Sequence, residues 1–432
     1  MRKLSSPVLL CLLAGACAAP VSSGSGVGSG SGPGGKDDSG WLSDTSFEVD
    51  AVVRGVVTRE ASGEWAGLAT DAALQTSLID LQVKFAKNTT EANGFRINQL
   101  IDSVDAVEVQ VDGDLVTLRY AATVDMISDD GSRDVPALEE IEPRVMQLPL
   151  PLDPVGVYGR AGSRCANDDH AAGYNYHYYY DPSGPECDIE LSPAELEIVE
   201  VFERRTVYPE YDRLMRELAD GSLGFTVALV PAEGDSDRMS RFDAHRRMLE
   251  AELGLTGEDS EDGAFRRYEW VRSGVKVVID LFDPTRGHFT ASFQNALRTY
   301  QVVFYNGHSA YGTQRLLTDP EAFSDDYQII MLHSCQSYAY YVQQAFHAKA
   351  TEEDPDGFAS TDFVATGRSS YPTDSPVTLQ ALLEGLMTGI AAVHEGNREA
   401  ATDWLSIVSR MNRRVPGILY GVAGVRTNEW QP

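Results

Sequence analysis

From Gly224 to the C-terminus, short apolar runs alternate with segments of helical periodicity. Short apolar runs are typical of strands buried on both faces, and the amphipathic segments between them are typical of helices that cover such a sheet. The alternation therefore predicts an α/β domain, mainly a parallel sheet with helices on both faces. The predicted strands are Phe225–Val230, Val275–Phe282, Val302–Tyr305, Gln328–Leu332, Phe363–Thr366 and Ile418–Val425. The predicted helices are Asp237–Leu253, Thr290–Tyr300, Val377–His394 and Arg398–Arg413.

The residues before this domain predict a small α+β domain. Apolar residues recur at helical spacing over Trp65–Lys87. Alternating residues over Val107–Met126 surround Asp112-Gly113, a dipeptide that predicts a hairpin turn. The segment Pro193–Leu218 predicts a helical connector. The chain thus divides into a leader at 1–16, a linker at 17–44, the α+β domain at 45–155, a loop and helical connector at 156–222, and the α/β domain at 223–432.

The N-terminus has the features of a secretion signal. Arg2 and Lys3 precede an apolar run, Leu4–Leu13, that is too short to span a bilayer core of about 30 Å. The small residues Ala14-Gly15-Ala16 before Cys17 resemble a bacterial lipobox. This resemblance implies that residues 1–16 are a lipoprotein signal peptide and that Cys17 is acylated. Ordinary secretion with cleavage nearby is the alternative.

The residues after Cys17 indicate where such a protein would reside. Ala18 follows Cys17, which resembles outer-membrane sorting in Gram-negative bacteria, and Val21–Gly40 is nearly all glycine and serine. A Gly/Ser segment behaves as a flexible tether. We therefore expect a bacterial lipoprotein of the cell envelope, at the outer membrane or cell surface, that contacts the membrane through its lipid only. The net charge of -30 argues against nucleic-acid binding, which needs a cationic face.

The chain contains five cysteines. Cys11 lies in the leader and Cys17 is assigned to the lipid. Cys165 and Cys187 flank a tyrosine-rich loop, and an oxidising compartment favours a disulfide between them. Cys335 is left over, either as a buried small apolar residue or as a functional thiol.

Two predicted strands run directly into chemically reactive side chains. One leads into Asn306-Gly307-His308-Ser309, and the next leads into His333-Ser334-Cys335. Catalytic sites of open α/β sheets gather along the carboxyl edge of the strands. Parallel neighbours lie about 4.8 Å apart, so an imidazole and a thiol at adjacent strand ends would reach one substrate. A nearby histidine helps to form the thiolate nucleophile, and backbone N–H groups near Cys335 and in the Gly307–Ser309 turn would supply an oxyanion hole.

This arrangement resembles the caspase–gingipain–legumain clan of cysteine peptidases. An apolar strand ends in His308, and another ends in Cys335 after the small residue Ser334. The resemblance covers Gly224–Glu429 and implies a caspase-like α/β fold, with His308 as the catalytic histidine and Cys335 as the nucleophile. It implies a hydrolase of protein or peptide substrates that needs no cofactor. Ser309 departs from the clan, which usually has at this position a glycine that helps to form the oxyanion hole.

By the same resemblance, Thr366–Asp374 would help to line the specificity pocket. Asp374 and Asp283 lie near strand ends and would select a basic side chain, with solvated surface carboxylates as the alternative. His333 lies two residues before Cys335, so both would share a face of an extended strand. A packed histidine is the preferred interpretation of His333, with a role in the pocket as the alternative.

The sequence thus predicts a surface-anchored lipoprotein with a cysteine endopeptidase domain that uses His308 and Cys335. A catalytically inactive caspase-like lipoprotein, serving as a binding or interaction module, is the second hypothesis and is favoured by Ser309. A third is a zinc hydrolase using His308, His333 and Cys335, although no H-E-x-x-H helix supports it. Residues 45 to 190 would be either a prodomain that covers the cleft or a separate binding module.

Overall fold

The computed structural model describes residues 40–158, 165–166, 175–185, 187–232, 237–286, 289–309, 317 and 319–432. The predicted signal peptide at 1–16, the acylated Cys17 and the greater part of the linker at 17–44 lie outside these residues. The described chain forms a mixed α/β fold with two sheets, which confirms the predicted class.

The first sheet has six strands, all paired in the antiparallel sense. The predicted hairpin is confirmed, because β3 and β4 pair up to Asp112 and Leu115. Helix α1 lies within the predicted helical segment, and Asp71 caps it by accepting from the N–H groups of Ala73 and Leu74. The strands are β1 Glu48–Glu60, β2 Phe95–Ile97, β3 Ser103–Asp112, β4 Leu115–Ser128, β5 Val145–Leu148 and β6 Ala194–Val201. The helices are α1 Ala72–Val83, α2 Lys87–Ala92 and α3 Pro154–Tyr158.

The helix predicted over Pro193–Leu218 is wrong. Strand β6 occupies its first part and inserts between β1 and β5, and the only helix within it is a short one, α4 (Tyr211–Leu214). The physical reason is a period of two: Ala194, Leu196 and Ile198 are buried while the glutamates between them point outward. The first sheet is therefore completed by residues from the segment that was predicted to be a connector.

The second sheet has nine strands in the order β15-β14-β13-β12-β8-β11-β10-β9, with β7 also paired to β8. Its five central strands, β14 to β11 in this order, are parallel, whereas β15, β10, β9 and β7 pair in the antiparallel sense. All six predicted strands are present. The strands are β7 Arg216–Glu217, β8 Leu223–Pro231, β9 Gly257–Asp259, β10 Phe265–Arg272, β11 Val275–Phe282, β12 Val302–Asn306, β13 Gln328–His333, β14 Thr361–Thr366 and β15 Tyr420–Ala423.

Helices cover both faces of the second sheet, as predicted. Phe225, Val227 and Leu229 of β8 face a core shared with α8 and α9, whereas Ala228 and Val230 face a core shared with α6 and α7. The helices are α5 Arg238–Arg247, α6 Phe289–Thr299, α7 Gln343–Lys349, α8 Ser375–His394 and α9 Trp404–Arg414. Within the described ranges, one helical segment, Pro372–His394, has the length and composition to cross a membrane, but most of it is buried in the core.

The first sheet packs onto the α6–α7 face of the second sheet. Ile127 of β4 and the nearby Trp41 belong to the same buried cluster as Tyr338 and Phe346. The Trp41 and Tyr338 rings meet edge to face with centroids 4.8 Å apart, and the Gln99 N–H donates to the Ala339 carbonyl at 2.7 Å. The two sheets therefore share one apolar interior, and it adjoins the helical turn that follows Cys335.

Candidate active site

The two predicted catalytic residues follow neighbouring parallel strands. Strands β12 and β13 pair in register up to Asn306 opposite His333. The Gly307 N–H continues this pairing by donating to the His333 carbonyl at 3.3 Å. His308 and Cys335 therefore each lie two residues beyond the same pair, at one rim of the sheet.

The His308 turn is shaped by close packing. The Tyr305 hydroxyl donates to the His308 carbonyl at 2.8 Å, which holds the backbone of the turn. A Cβ atom at Gly307 would lie 2.3 Å from the Tyr305 hydroxyl oxygen and 2.5 Å from the Ala232 Cβ, so only glycine fits without rearrangement. The His308 side chain is exposed, and Ser309 is buried. The imidazole is thus accessible from solvent at the rim.

Cys335 lies in a tight turn between β13 and a helix. Gln336 adopts a left-handed conformation, with φ of 51°, and the helix begins at Ser337 and continues as the π-helical turn Tyr338–Val342. The thiol is half-buried and donates from Sγ to the Ser370 carbonyl at 3.6 Å. Among the described residues the Cys335 N–H has no hydrogen-bond acceptor. A backbone donor is therefore available beside the sulfur.

A hydroxyl network ties this turn to β14. The Ser337 hydroxyl donates to the Leu332 carbonyl at 2.9 Å and accepts from the Thr366 N–H at 2.8 Å. The Thr366 hydroxyl in turn donates to the Ser334 carbonyl at 2.5 Å. All four residues are buried. Because these bonds span the ends of two strands, they fix the direction in which the chain leaves β13 toward Cys335.

The two predicted pocket carboxylates, Asp374 and Asp283, follow different strands of the sheet. The segment after β14 runs beside Cys335, because the thiol bonds to Ser370, and it ends at half-buried Asp374, which precedes α8. Asp283 follows β11, and β8 separates β11 from β12, which is a spacing of about 10 Å. The Asp283 carboxylate accepts from the Thr285 N–H at 2.8 Å and from its hydroxyl at 2.7 Å. The structure thus brings the Asp374 segment to the cysteine but does not bring Asp283 there.

His333 is a packed residue of the core beneath the rim. Its Nε2 lies 2.8 Å from the Tyr371 carbonyl, to which it donates, and its Nδ1 lies 2.8 Å from the Tyr420 hydroxyl, from which it accepts. The ring stacks on Phe304 and Tyr420. Burial lowers the pKa of His333 to about 4, so the ring is neutral at pH 7.

This placement bears on the zinc hypothesis. The strand ends at His333, so the alternation that would put its side chain on the face of Cys335 does not continue to the cysteine. Both ring nitrogens of His333 are engaged in hydrogen bonds. The residues that the structure describes include no group of three His, Cys, Asp or Glu side chains that would hold a metal ion.

Two ties at the rim were not predicted from the sequence. The Asn306 amide, at the end of β12, donates to the Ser375 hydroxyl at 2.6 Å and so connects β12 to the start of α8. Arg368, two residues beyond β14, binds Asp129 of the first sheet. A polar residue directly after an apolar run was the signal for Asn306. No local signal marks Arg368 and Asp129, which are 239 positions apart.

Comparison with known proteins finds no family model that matches this chain and no curated protein that matches it.

Proposed function

We propose that residues 223–432 form a caspase-like cysteine peptidase domain in which Cys335 is the nucleophile and His308 is the general base and acid. The observation that carries the proposal is the register of β12 and β13. Asn306 pairs with His333, and His308 and Cys335 each lie two residues beyond this pair. A half-buried thiol and an exposed imidazole that follow neighbouring strands, at the carboxyl edge of a parallel sheet, suit thiol-dependent acyl transfer. The clan resemblance of the two strand ends agrees with this arrangement.

The chemistry follows from these groups. His308 takes the thiol proton, and the Cys335 sulfur attacks the peptide carbonyl carbon to form a tetrahedral oxyanion. The unpartnered Cys335 N–H is the donor that would stabilise this oxyanion, together with the Gly307–Ser309 turn. Collapse breaks the C–N bond, and His308 gives its proton to the leaving amine. Water, deprotonated by His308, then hydrolyses the thioester and releases the acid and the free thiol.

The proposed substrate is a protein or peptide. The segment Thr366–Asp374 is the proposed wall of the pocket for the side chain before the cleaved bond, and Asp374 at its end is the proposed acidic selector. A carboxylate at that position favours lysine or arginine. Asp283 is not part of this proposal, because its strand is two positions away from β12.

A second candidate is a domain that kept this architecture and acts as a binding module without catalysis. Two observations favour it. Ser309 is buried in place of the clan's glycine, and the thiol donates to the Ser370 carbonyl. A thiol has one hydrogen to donate, so while it donates to this carbonyl it does not donate to His308, which opposes nucleophilic attack.

The deciding experiment measures peptide hydrolysis by the purified protein with a fluorogenic library varied at the residue before the cleaved bond. Wild type is expected to cleave after lysine or arginine, and Cys335→Ala and His308→Ala are each expected to abolish cleavage while the fold is retained by circular dichroism. Tyr340→Phe is the matched control, because it changes a side chain of the same helical turn whose ring packs against Tyr178. Full activity of Cys335→Ala would refute the peptidase proposal. Hydrolysis that appears only in Ser309→Gly would support the binding module.

The location of the protein is a separate proposal. Acylation of Cys17 and the Gly/Ser tether would hold the folded domains at the outer membrane or cell surface of a bacterium. Expression in Gram-negative cells with a radiolabelled fatty acid tests it. Label is expected in the wild-type chain and not in Cys17→Ser, and equal labelling of both would exclude acylation at this residue.

A further inference from the structure

Asp129 lies just after β4 and is held by two arginines from different parts of the chain. Its Oδ2 accepts from Arg96 Nε at 2.8 Å, and its Oδ1 accepts from Arg368. The Asp129 carbonyl also accepts from Arg368, and the Asp129 N–H donates to the Gly94 carbonyl at 2.7 Å. The Asp129 side chain is only 10% exposed. The carboxylate is therefore a fixed part of the first sheet and is largely shielded from water.

Arg368 belongs to the segment that holds the cysteine turn. Its carbonyl accepts the N–H of Gln336 at 3.0 Å, and Gln336 is the residue directly after Cys335. Two residues further on, the Ser370 carbonyl accepts from the Cys335 thiol at 3.6 Å. These two contacts, which add to those of Thr366 with the same turn, thus involve Arg368 itself and a residue two positions after it.

The rest of this segment is anchored through its backbone. The Gly367 and Arg368 N–H groups donate to the Leu419 and Ile418 carbonyls at 2.8 and 3.1 Å. A Cβ atom at Gly367 would lie 2.6 Å from Leu419 Cδ2 and 3.0 Å from Ile127 Cδ1, so the first sheet also limits this segment sterically. Beyond Arg368, the described polar contacts of the segment reach the cysteine turn, His333 and the start of α8, where the Ser375 hydroxyl donates to the Pro372 carbonyl at 2.8 Å. Arg368, held by Asp129 through its side chain and by Ile418 through its backbone, is thus the last anchored residue before Ser370.

We propose that Asp129 is a positioning residue of the active site, so that the first sheet forms a permanent part of it and is not a removable prodomain. The proposal rests on the proposed function, because it assigns Asp129 to the support of Cys335. The Asp129 carboxylate binds the Arg368 guanidinium, and the Arg368 carbonyl accepts from the backbone N–H of Gln336. In the same segment, the Ser370 carbonyl accepts from the Cys335 thiol. A neutral side chain at position 129 would leave two guanidinium groups facing each other without the negative charge between them.

The test is Asp129→Asn, examined by two readouts that respond in opposite directions. The first is the rate at which iodoacetamide alkylates Cys335 at pH 7.5, measured by mass spectrometry of the peptide that contains it. Release of Ser370 exposes the sulfur, so alkylation is expected to rise by about threefold or more. The second is hydrolysis of the best library peptide, for which kcat/KM is expected to fall by about tenfold or more, because small displacements of catalytic groups are costly.

The matched control is Arg426→Gln, which breaks another ion pair with the first sheet, Arg426 with Glu48 at 3.5 Å. Arg426 follows the C-terminal end of β15, whereas Arg368 contacts Ile418, which precedes the strand. Both variants are compared well below the lower of their melting temperatures. In the control, Cys335 is expected to be alkylated at the wild-type rate, and kcat/KM for peptide hydrolysis is expected to equal that of wild type. Equal alkylation rates in Asp129→Asn, Arg426→Gln and wild type would overturn the proposal. If wild type cleaves no peptide but Asp129→Asn alone alkylates faster, the proposed peptidase function fails while the positioning role stands.

Discussion

Replacing Asp362 with asparagine is expected to change how the stability of this protein depends on pH. Asp362 lies in β14 and is fully buried. Its Oδ2 accepts from the Tyr327 hydroxyl, from Trp404 Nε1 at 2.6 Å and from Asn428 Nδ2 at 3.0 Å. Burial raises the pKa of Asp362 from 3.8 to about 7; these hydrogen bonds lower it, and nearby Glu210 raises it further.

The sign of the effect follows from which state holds the proton. Between pH 3.8 and about 7, the folded protein keeps a proton on Asp362 that the unfolded chain has lost. The Asp362 contribution is therefore fully present at low pH and is lost as the pH rises toward 7. One pKa unit corresponds to about 1.4 kcal/mol, so the change in the free energy of unfolding over this window is about 4 kcal/mol.

Asparagine removes this dependence at a fixed cost. Within the described structure Asp362 Oδ1 has no hydrogen-bond partner, so the amide NH2 of the variant would be buried without an acceptor. That costs about 1–3 kcal/mol at every pH. Asp362→Asn is therefore expected to be less stable than wild type by this amount near pH 4 and more stable by about 1–3 kcal/mol near pH 8.

Urea denaturation followed by tryptophan fluorescence, at intervals from pH 4 to pH 8, measures both curves. Other carboxylates and histidines titrate in both proteins, so the difference between the two curves isolates Asp362. The difference is expected to change sign within this range. A constant difference across the whole range would refute the reasoning, because it would mean that the folded and unfolded proteins release the Asp362 proton at the same pH.

Three further predictions concern local features. Tyr341→Phe removes a buried hydroxyl that has no partner in the described structure, so the melting temperature is expected to hold or rise, and a clear fall would contradict this. Replacement of Cys165 and Cys187 by alanine removes the disulfide that the structure forms between them, which is expected to cost about 2–4 kcal/mol in urea denaturation; an unchanged midpoint would contradict it. Asp71→Ala removes the cap of α1 and is expected to cost about 1 kcal/mol in the same assay, whereas no loss would show that the cap is redundant.

The central strands could be predicted from the sequence because they are buried on both faces. Strand β11 was predicted with its observed bounds, and β12 and β13 each extend by only one residue beyond the prediction. Strand β10 was missed because it lies near the edge and only Tyr268 of its residues is buried, and half of its sequence FRRYEWVR is charged. Strand β6 was also missed, although its glutamates alternate with buried residues as in a strand with one buried face.

The position of His308 and Cys335 at one rim of the sheet could be predicted because the strands before them could be predicted. His308 and Cys335 follow strands that are adjacent in both sequence and space, which is the commonest arrangement in such sheets. The packing of the first sheet was not predictable. Asp129 and Arg368 are two charged residues among many, and only the tertiary fold brings them together. The disulfide between Cys165 and Cys187 was predicted from cysteine count and compartment, and the structure confirms it.

The first described residues and the last strand close one edge of the second sheet together. Leu42 exchanges backbone hydrogen bonds with Val422 of β15 at 2.8 and 3.0 Å, and the Ser43 hydroxyl donates to the Tyr420 carbonyl 377 positions later. During synthesis these early residues must remain without partners until nearly the whole chain has emerged from the ribosome. Prematurely terminated chains that end before Tyr420 would leave β14 with an open edge, and we expect them to aggregate instead of folding in part.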